Sequence, residues 1–130
     1  MPQGFTLGRH FNTFDCKEMR YMFYQSVMPD SFTFDEKFDT SNVEHMEYMF
    51  SECRIPDGFR MPDSFSTSKV ADMNHMYYAT NFVGKYDFGK NFVPHMFADT
   101  RYMFSECIIA GETIDEQYKE DFKYMKERLS

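Results

Sequence analysis

A period of 27 residues governs most of the chain. Methionine keeps this spacing at one position of the unit, and aromatic residues keep it at three others. The recurring methionines are Met22, Met49, Met76 and Met103. Self-similarity at about 20 to 50 residues is typical of chains built from stacked units, because each unit buries its apolar face against the next. The period therefore assigns most apolar residues to a shared core and leaves few for chemistry.

Each unit combines a strand pattern with a helix pattern. In the unit 28–54, Phe32 and Phe34 alternate with polar residues, which predicts a short strand with one buried face. A helix N-cap signal at 40–42 precedes five apolar residues that fall on one stripe of a helix. These are Val43, Met46, Met49, Phe50 and Cys53. The pattern predicts units of strand, turn, short helix and turn.

The two ends of the chain differ. Four units fill residues 1–108, and an amphipathic helix predicted at roughly 115–129 within the segment 109–130 would cap the last of them. The whole chain would form a single domain. The first unit has no such helix. We therefore predict a strand edge near residues 5–7 that can pair with a second copy and form a homodimer.

Composition and charge limit the partners. The formal net charge of −7 opposes binding to nucleic acid or an anionic membrane and favours a protein with a basic surface. Neither a secretory signal nor an apolar run of about 20 residues is present. These observations predict a cytoplasmic protein. The three cysteines, Cys16, Cys53 and Cys107, are predicted to be reduced core thiols, in keeping with that compartment.

One repeat motif resembles a known family. It spans 39–53, and its fixed residues are Asp39, Thr40, Ser41, Asn42, Val43, Met46, Tyr48, Met49, Phe50 and Cys53. It resembles the bacterial surface-protein repeat of about 25 residues that is grouped with BspA-like leucine-rich repeats. The resemblance covers about residues 1–108. It implies a leucine-rich-repeat-like right-handed solenoid, here with four 27-residue strand–turn–helix units and a capping helix, that is used in binding or adhesion at the bacterial surface.

The sequence carries no recognisable constellation for catalysis. The four histidines occupy different positions of the unit, and no CxxC, HExxH, GxSxG or glycine-rich phosphate loop is present. We therefore predict a protein that is not an enzyme and that uses no cofactor or metal.

Two columns of surface residues are candidates for binding a partner. Tyr21, Tyr48, His75 and Tyr102 share one position of the unit, and Glu18, His45, Asp72 and Asp99 share another. The rings either pack between neighbouring helices or form an exposed aromatic ladder. The carboxylates form either a solvated face or a strip matched to a basic groove. The predicted partner-binding residues are Glu18, Tyr21, Glu44, His45, Glu47, Tyr48, Asp72, Asp99 and Tyr102.

The function predicted from these features is non-enzymatic protein binding by an acidic module. A small acidic chain without an export signal suggests a phage or mobile-element inhibitor. Such an inhibitor would resemble an anti-CRISPR, imitate a nucleic acid and block a nucleic-acid-binding complex in the host cytosol. The alternative is a bacterial surface or adhesion fragment, as the family resemblance implies. On the strand side, a mixed column that includes Thr33, Arg60 and Asp87 identifies no ligand class.

Overall fold

The computed structural model describes Met1 and residues 13–130. It contains short β-strands followed by a 3-10 helix, Glu116–Tyr118, and one α-helix. The strands are β1 (Arg54–Ile55), β2 (Phe59–Arg60), β3 (Asn81–Phe82), β4 (Tyr86–Asp87), β5 (Ile108–Ile109) and β6 (Glu112–Thr113), and the helix is α1 (Phe122–Leu129).

The strands form two sheets whose register repeats the sequence period. One sheet has the order β1-β3-β5-β6, and the other pairs β2 with β4. All pairs are parallel except β5 with β6. Arg54 pairs with Asn81, and Asn81 pairs with Ile108, in steps of 27 residues. Isolated parallel bridges at the same step join Glu18, His45, Asp72 and Asp99 in turn. Successive 27-residue segments therefore lie side by side.

The predicted solenoid of four strand–turn–helix units is wrong. Within residues 13–130, α1 is the one α-helix. The segment predicted as a helix in the unit 28–54 instead contains an isolated bridge at His45 followed by turns at 47–52. Strands do form at two of the predicted places, β2 and β4, but residues 32–34 are not a strand. The strands β1, β3 and β5 follow the predicted helices and were not expected.

The main chain of the predicted helix bonds to the next segment. The amide of Tyr48 donates to the carbonyl of Asn74 at 3.2 Å, and that of Phe50 donates to Met76 at 2.8 Å. The amide between them, of Met49, donates locally to Met46 at 3.2 Å. An α-helix would need every amide for a bond to the residue four positions earlier. Alternate amides are instead used between segments, so a helix cannot form.

Left-handed backbone conformations make this arrangement possible. Tyr48 has a φ of 58° and Glu52 a φ of 55°, so the chain reverses direction twice within one unit. The residues at the equivalent positions of the other units are also left-handed, namely Tyr21, Gln25, His75, Ala79, Tyr102 and Glu106. None of them is glycine or asparagine, the residues that adopt this conformation at least cost.

The core consists of columns of equivalent side chains. Phe23 stacks on Phe50 with ring centroids 5.5 Å apart, Phe50 on Tyr77 at 5.3 Å, and Tyr77 on Phe104 at 5.6 Å. All four rings are buried. Offset parallel rings at these distances attract one another in addition to the area they bury. The 27-residue period thus identifies correctly which side chains meet.

The segment after β6 covers the end of the last unit. The amide of Phe104 donates to the carbonyl of Lys119 at 2.7 Å, in place of the next-segment bond that earlier units make. The predicted helix begins later than expected, at Phe122, with the side chain of Asp121 as its N-cap. Its apolar residues Met125 and Leu129 are buried. The predicted dimer edge near residues 5–7 lies outside the described residues.

The cysteines are free thiols. Cys53 and Cys107 are buried, whereas Cys16 is partly exposed. The Cys53 thiol donates to the carbonyl of Phe23 at 2.8 Å, and the Cys107 thiol donates to that of Tyr77 at 2.9 Å. Burial raises the pKa of each of these two thiols to about 12. Both are therefore protonated core groups at neutral pH.

Candidate functional site

The four rings of the first predicted surface column stack on one another. Tyr21 and Tyr48 have centroids 4.8 Å apart and planes within 6° of parallel, and Tyr48 and His75 lie 4.6 Å apart at 7°. His75 and Tyr102 lie 5.1 Å apart at 29°. The Lys119 ammonium lies over the Tyr102 ring, 4.5 Å from its centroid, at the end of the stack. We call Tyr21, Tyr48, His75 and Tyr102 the ring column.

The ring column is held by the backbone beneath it and stays partly in solvent. Each ring projects from a left-handed residue. The amide of Tyr21 donates to the carbonyl of Glu47 at 3.0 Å, which joins the first two units beneath the rings. Tyr21 is 52% exposed and Tyr102 is 42% exposed, while the two inner rings are partly buried. The rings therefore do not pack between helices. They pack face to face and leave their edges accessible.

The two inner residues of the ring column, Tyr48 and His75, are uncharged near pH 7. Burial is the main cause that lowers the pKa of His75, and its Nδ1 lies 2.7 Å from the side-chain oxygen of Asn74. Burial also raises the pKa of Tyr48. An uncharged imidazole between two phenols can stack without a cation in the column. The surface it forms is apolar on its faces and polar only at its tips.

The second predicted column is joined through the main chain and partly neutralised. Glu18, His45, Asp72 and Asp99 form parallel bridges in succession. Arg101 binds Asp99 with two nitrogens, at 3.0 Å and 2.8 Å, and this hydrogen bonding is the main cause that lowers the pKa of Asp99.

A second arginine, Arg20, pairs with carboxylates of the first two units. Arg20 binds Glu47 at 2.6 Å and lies 3.6 Å from Glu18. Glu47 keeps only 12% of its side chain exposed. Two arginines therefore pair with three carboxylates on this surface, and it is not the bare acidic strip that the sequence suggested.

Three possible metal ligands meet in this region. One ligand atom each from His45, Glu47 and Asp72 lies within 4.8 Å of the others. Arg20 already occupies one oxygen of Glu47, and the amide nitrogens of Asn74 bond to Asp72 at 3.0 Å and 2.7 Å. The polar partners that the chain itself supplies account for this cluster, and we assign no metal to it.

The remaining predicted residue, Glu44, is exposed beside these columns. Its amide donates to the carbonyl of Lys17 at 2.8 Å, and its carbonyl accepts from Ala71 at 2.9 Å. The structure thus brings together the ring column, the bridged column, Glu44 and Glu47 on one surface. The 27-residue period predicted which residues meet within each column, whereas the expectation that the two columns share a surface was based on a helix that does not form.

Sequence reasoning missed a groove on the strand side. It has a volume of about 370 Å³ and lies between β2, β4 and the last turn of α1. We call it the end groove. It is lined by Gly58, Phe59, Arg60, Lys85, Tyr86, Asp87, Phe88, Gly89, Lys126, Leu129 and Ser130. Arg60 and Asp87 belong to the mixed column noted in the sequence, but the contribution of α1 could not be anticipated.

The parallel register of 27-residue segments defines a repeat protein whose surface columns are built from equivalent residues. The chain belongs to the family described as Mycoplasma protein of unknown function, DUF285, whose model matches residues 6–117. This membership is compatible with the resemblance to a bacterial surface repeat and is not specific to the BspA-like group. Comparisons with curated proteins and with solved structures gave no match. In the part of the chain that is described, no helix has the length and apolarity needed to cross a membrane.

Proposed function

We propose that this chain is a non-enzymatic protein-binding module of the bacterial surface repeat type and that the ring column is its contact surface. The observation that carries the proposal is the stack of four rings with exposed edges at its ends. Tyrosine is enriched among the residues that dominate binding energy at protein interfaces.

Preorganisation favours this use of the column. Tyr48, His75 and Tyr102 are held on both faces by a neighbouring ring or by a cation, and Tyr21 is stacked on one face, so a partner would order few additional rotatable bonds. Ordering a free side chain at an interface costs about 0.5–1.5 kcal/mol. A surface of stacked rings avoids much of this cost. The column therefore offers apolar area and phenol hydroxyls in fixed positions.

The charges beside the ring column indicate the kind of partner. The net charge of −7 favours a partner with a basic surface and faster association at low salt. The two arginines that pair with the carboxylates weaken any likeness to a nucleic-acid backbone. Neither the geometry nor the family membership adds support to an anti-CRISPR-like inhibitor, and we do not include that activity in the proposal.

The proposal is tested by replacing the two exposed rings of the column. The double variant Tyr21→Ala/Tyr102→Ala should fold, since neither residue belongs to the buried core. The matched control is Phe97→Ala, an aromatic residue that is 85% exposed outside the column. Each protein would be immobilised and exposed to bacterial extract separated into surface and cytosolic fractions.

The capture experiment decides whether the ring column is the contact surface. A protein captured by the wild type and by Phe97→Ala, but lost with the double variant, supports the ring column as the contact surface. The fraction that contains it decides between a surface and a cytoplasmic setting. Equal capture by all three chains, or no specific capture at all, would overturn the proposal.

A further inference from the structure

The strand β4 ends its sheet where the sequence period would place another strand. Phe59 pairs with Tyr86, and the next equivalent residue along the chain is Thr113. The chain instead turns at Ala110 and Gly111, with φ of 50° and 84°, and Thr113 pairs antiparallel with β5. Among the described residues, β4 therefore receives no strand on its second edge.

The backbone of β4 has hydrogen-bonding groups directed to that second edge. The carbonyls of Lys85 and Asp87 accept from Gly58 at 2.8 Å and from Met61 at 3.0 Å, both on the side of β2. Carbonyl groups alternate in direction along a strand, so those of Tyr86 and Phe88 point the other way. On the side away from β2, no described residue bonds to the main chain of Tyr86 or Asp87.

The end groove lies along this part of the sheet. Apolar parts of Phe59, Phe88 and Leu129 contribute to its lining, and its volume of about 370 Å³ falls in the ~300–1,000 Å³ range typical of ligand sites. An aliphatic or aromatic side chain would lose water there without disturbing the core, since the groove is already present in the folded chain.

The charge of the groove is opposite to that of the protein. Its lining contains the cations Arg60, Lys85 and Lys126 and one acidic side chain, Asp87. Arg60 lies 3.7 Å from Asp87, so each of the two side chains partly neutralises the charge of the other. The two lysines therefore remain to attract an anion. In a chain with a net charge of −7, such a local excess of positive charge favours a carboxylate ligand.

We propose that the free edge of β4 binds an extended peptide as an added strand, with an apolar side chain in the end groove and a carboxylate beside Lys85 and Lys126. Main-chain hydrogen bonds to an exposed edge supply affinity in this mode of recognition, and pockets for alternate side chains supply specificity. The site is separate from the ring column, so it does not depend on the function proposed above.

The probe is an array of hexapeptides with the first four positions randomised. One arm ends in an aliphatic residue with a free carboxylate, a second has an aspartate before an amidated end, and a third is amidated without acid. Binders are remeasured in solution by fluorescence anisotropy against the full chain. We expect saturable binding in at least one acidic arm and none in the third. The arm that binds identifies the carboxylate as terminal or side-chain.

Charge-reversal variants test whether the lysines of the end groove contribute to peptide binding. Lys85→Glu/Lys126→Glu should weaken binding at least tenfold. The control Lys123→Glu changes the charge of an exposed residue of α1 outside the groove and should have little effect. Tyr21→Ala/Tyr102→Ala should also bind normally, so failure here and failure of the ring-column proposal can be told apart.

Methylated peptides test whether the ligand binds β4 as an added strand. Two peptides would each be N-methylated at one of two consecutive central amides of a confirmed binder. Binding should be lost with one of them, because alternate amides of an added strand face the edge of β4. Retained binding of both methylated peptides, equal binding by the lysine variants, or an array without acidic binders would each overturn the proposal.

Discussion

The hydroxyl oxygens of Tyr77 and Tyr86 lie 2.7 Å apart inside the core. Tyr77 occupies a column that is phenylalanine at 23, 50 and 104, and Tyr86 occupies one that is phenylalanine at 32 and 59. Both tyrosines are buried, and each hydroxyl has the other as its partner. Two columns therefore change from phenylalanine to tyrosine at the one place where the two hydroxyls can pair.

This pairing makes the two residues strongly coupled. Tyr77→Phe should lower the free energy of unfolding by about 1–3 kcal/mol, because it leaves the Tyr86 hydroxyl buried without its partner. Adding Tyr86→Phe should recover much of the loss, since both columns then become apolar. Urea unfolding of the four proteins of the cycle measures the coupling. Additive losses would show that the hydroxyl pair contributes nothing specific.

Stability should fall in alkaline solution from about pH 9. Burial raises the pKa of Cys53 and Cys107 from 9.0 to about 12, so the unfolded chain loses these protons first. The contribution of the raised pKa is fully present below pH 9 and is lost as pH rises towards 12. Each thiol should reduce the free energy of unfolding by up to about 1.4 kcal/mol per pH unit. Unfolding curves of Cys53→Ala should show a shallower decline, and an unchanged slope would contradict this assignment.

The period in the sequence predicted the core but not the backbone. Val43, Met46 and Met49 were expected to be buried on a helical stripe, and they are buried, but in a non-helical segment. Apolar spacing reports which side chains face inward, and a helix is only one backbone that satisfies it. Left-handed residues are usually signalled by glycine or asparagine, and Tyr48 and Glu52 give no such signal.

The candidate surface was predicted in part for the same reason. Equivalent positions must stack if units repeat, so the proximity of Tyr21, Tyr48 and His75 followed from their spacing. Arg20 and Arg101 were not expected to neutralise the carboxylates, because ion pairs between units depend on side-chain rotamers that spacing does not fix. The end groove depends on where α1 docks, which no repeat pattern reports.

The left-handed backbone gives a direct test of these turns. Ala79 has a φ of 57°, a conformation that costs an L-residue about 1–2 kcal/mol. Ala79→Gly should therefore raise the free energy of unfolding by about 0.5–1 kcal/mol. The control Ala71→Gly changes a residue without positive φ and should lower the free energy of unfolding by a similar amount. Thermal unfolding measures the stability of both variants. A loss of stability of equal size in the two would contradict the left-handed conformation of Ala79.

Thiol reactivity should separate the cysteines. Cys53 and Cys107 are buried and protonated, since burial raises the pKa of each to about 12. Cys16 is partly exposed. Titration of the native protein with Ellman's reagent at pH 8 should therefore release one equivalent quickly and the other two only on unfolding. Fast release of all three would show that the core opens readily, and Cys16→Ser should remove only the fast phase.

The last prediction concerns the segment that follows the repeats. Met125 of α1 is fully buried, and Phe122 on the same helix meets Phe88 and Phe92 with ring centroids 5.1 Å and 5.4 Å apart. The helix thus shields core rings that an uncovered unit would expose to water. Met125→Ala should lower the free energy of unfolding by about 2–5 kcal/mol, because it removes buried methylenes and leaves a cavity.

Lys123→Ala is the matched control for Met125→Ala, since Lys123 is exposed on the same helix and should change stability by less than about 0.5 kcal/mol. Urea unfolding monitored by tyrosine fluorescence measures both variants. If α1 and the repeats unfold as one unit, Met125→Ala should shift a single transition to lower urea without a second phase. A separate early transition, or equal stability of the two variants, would show that the helix folds independently of the core beneath it.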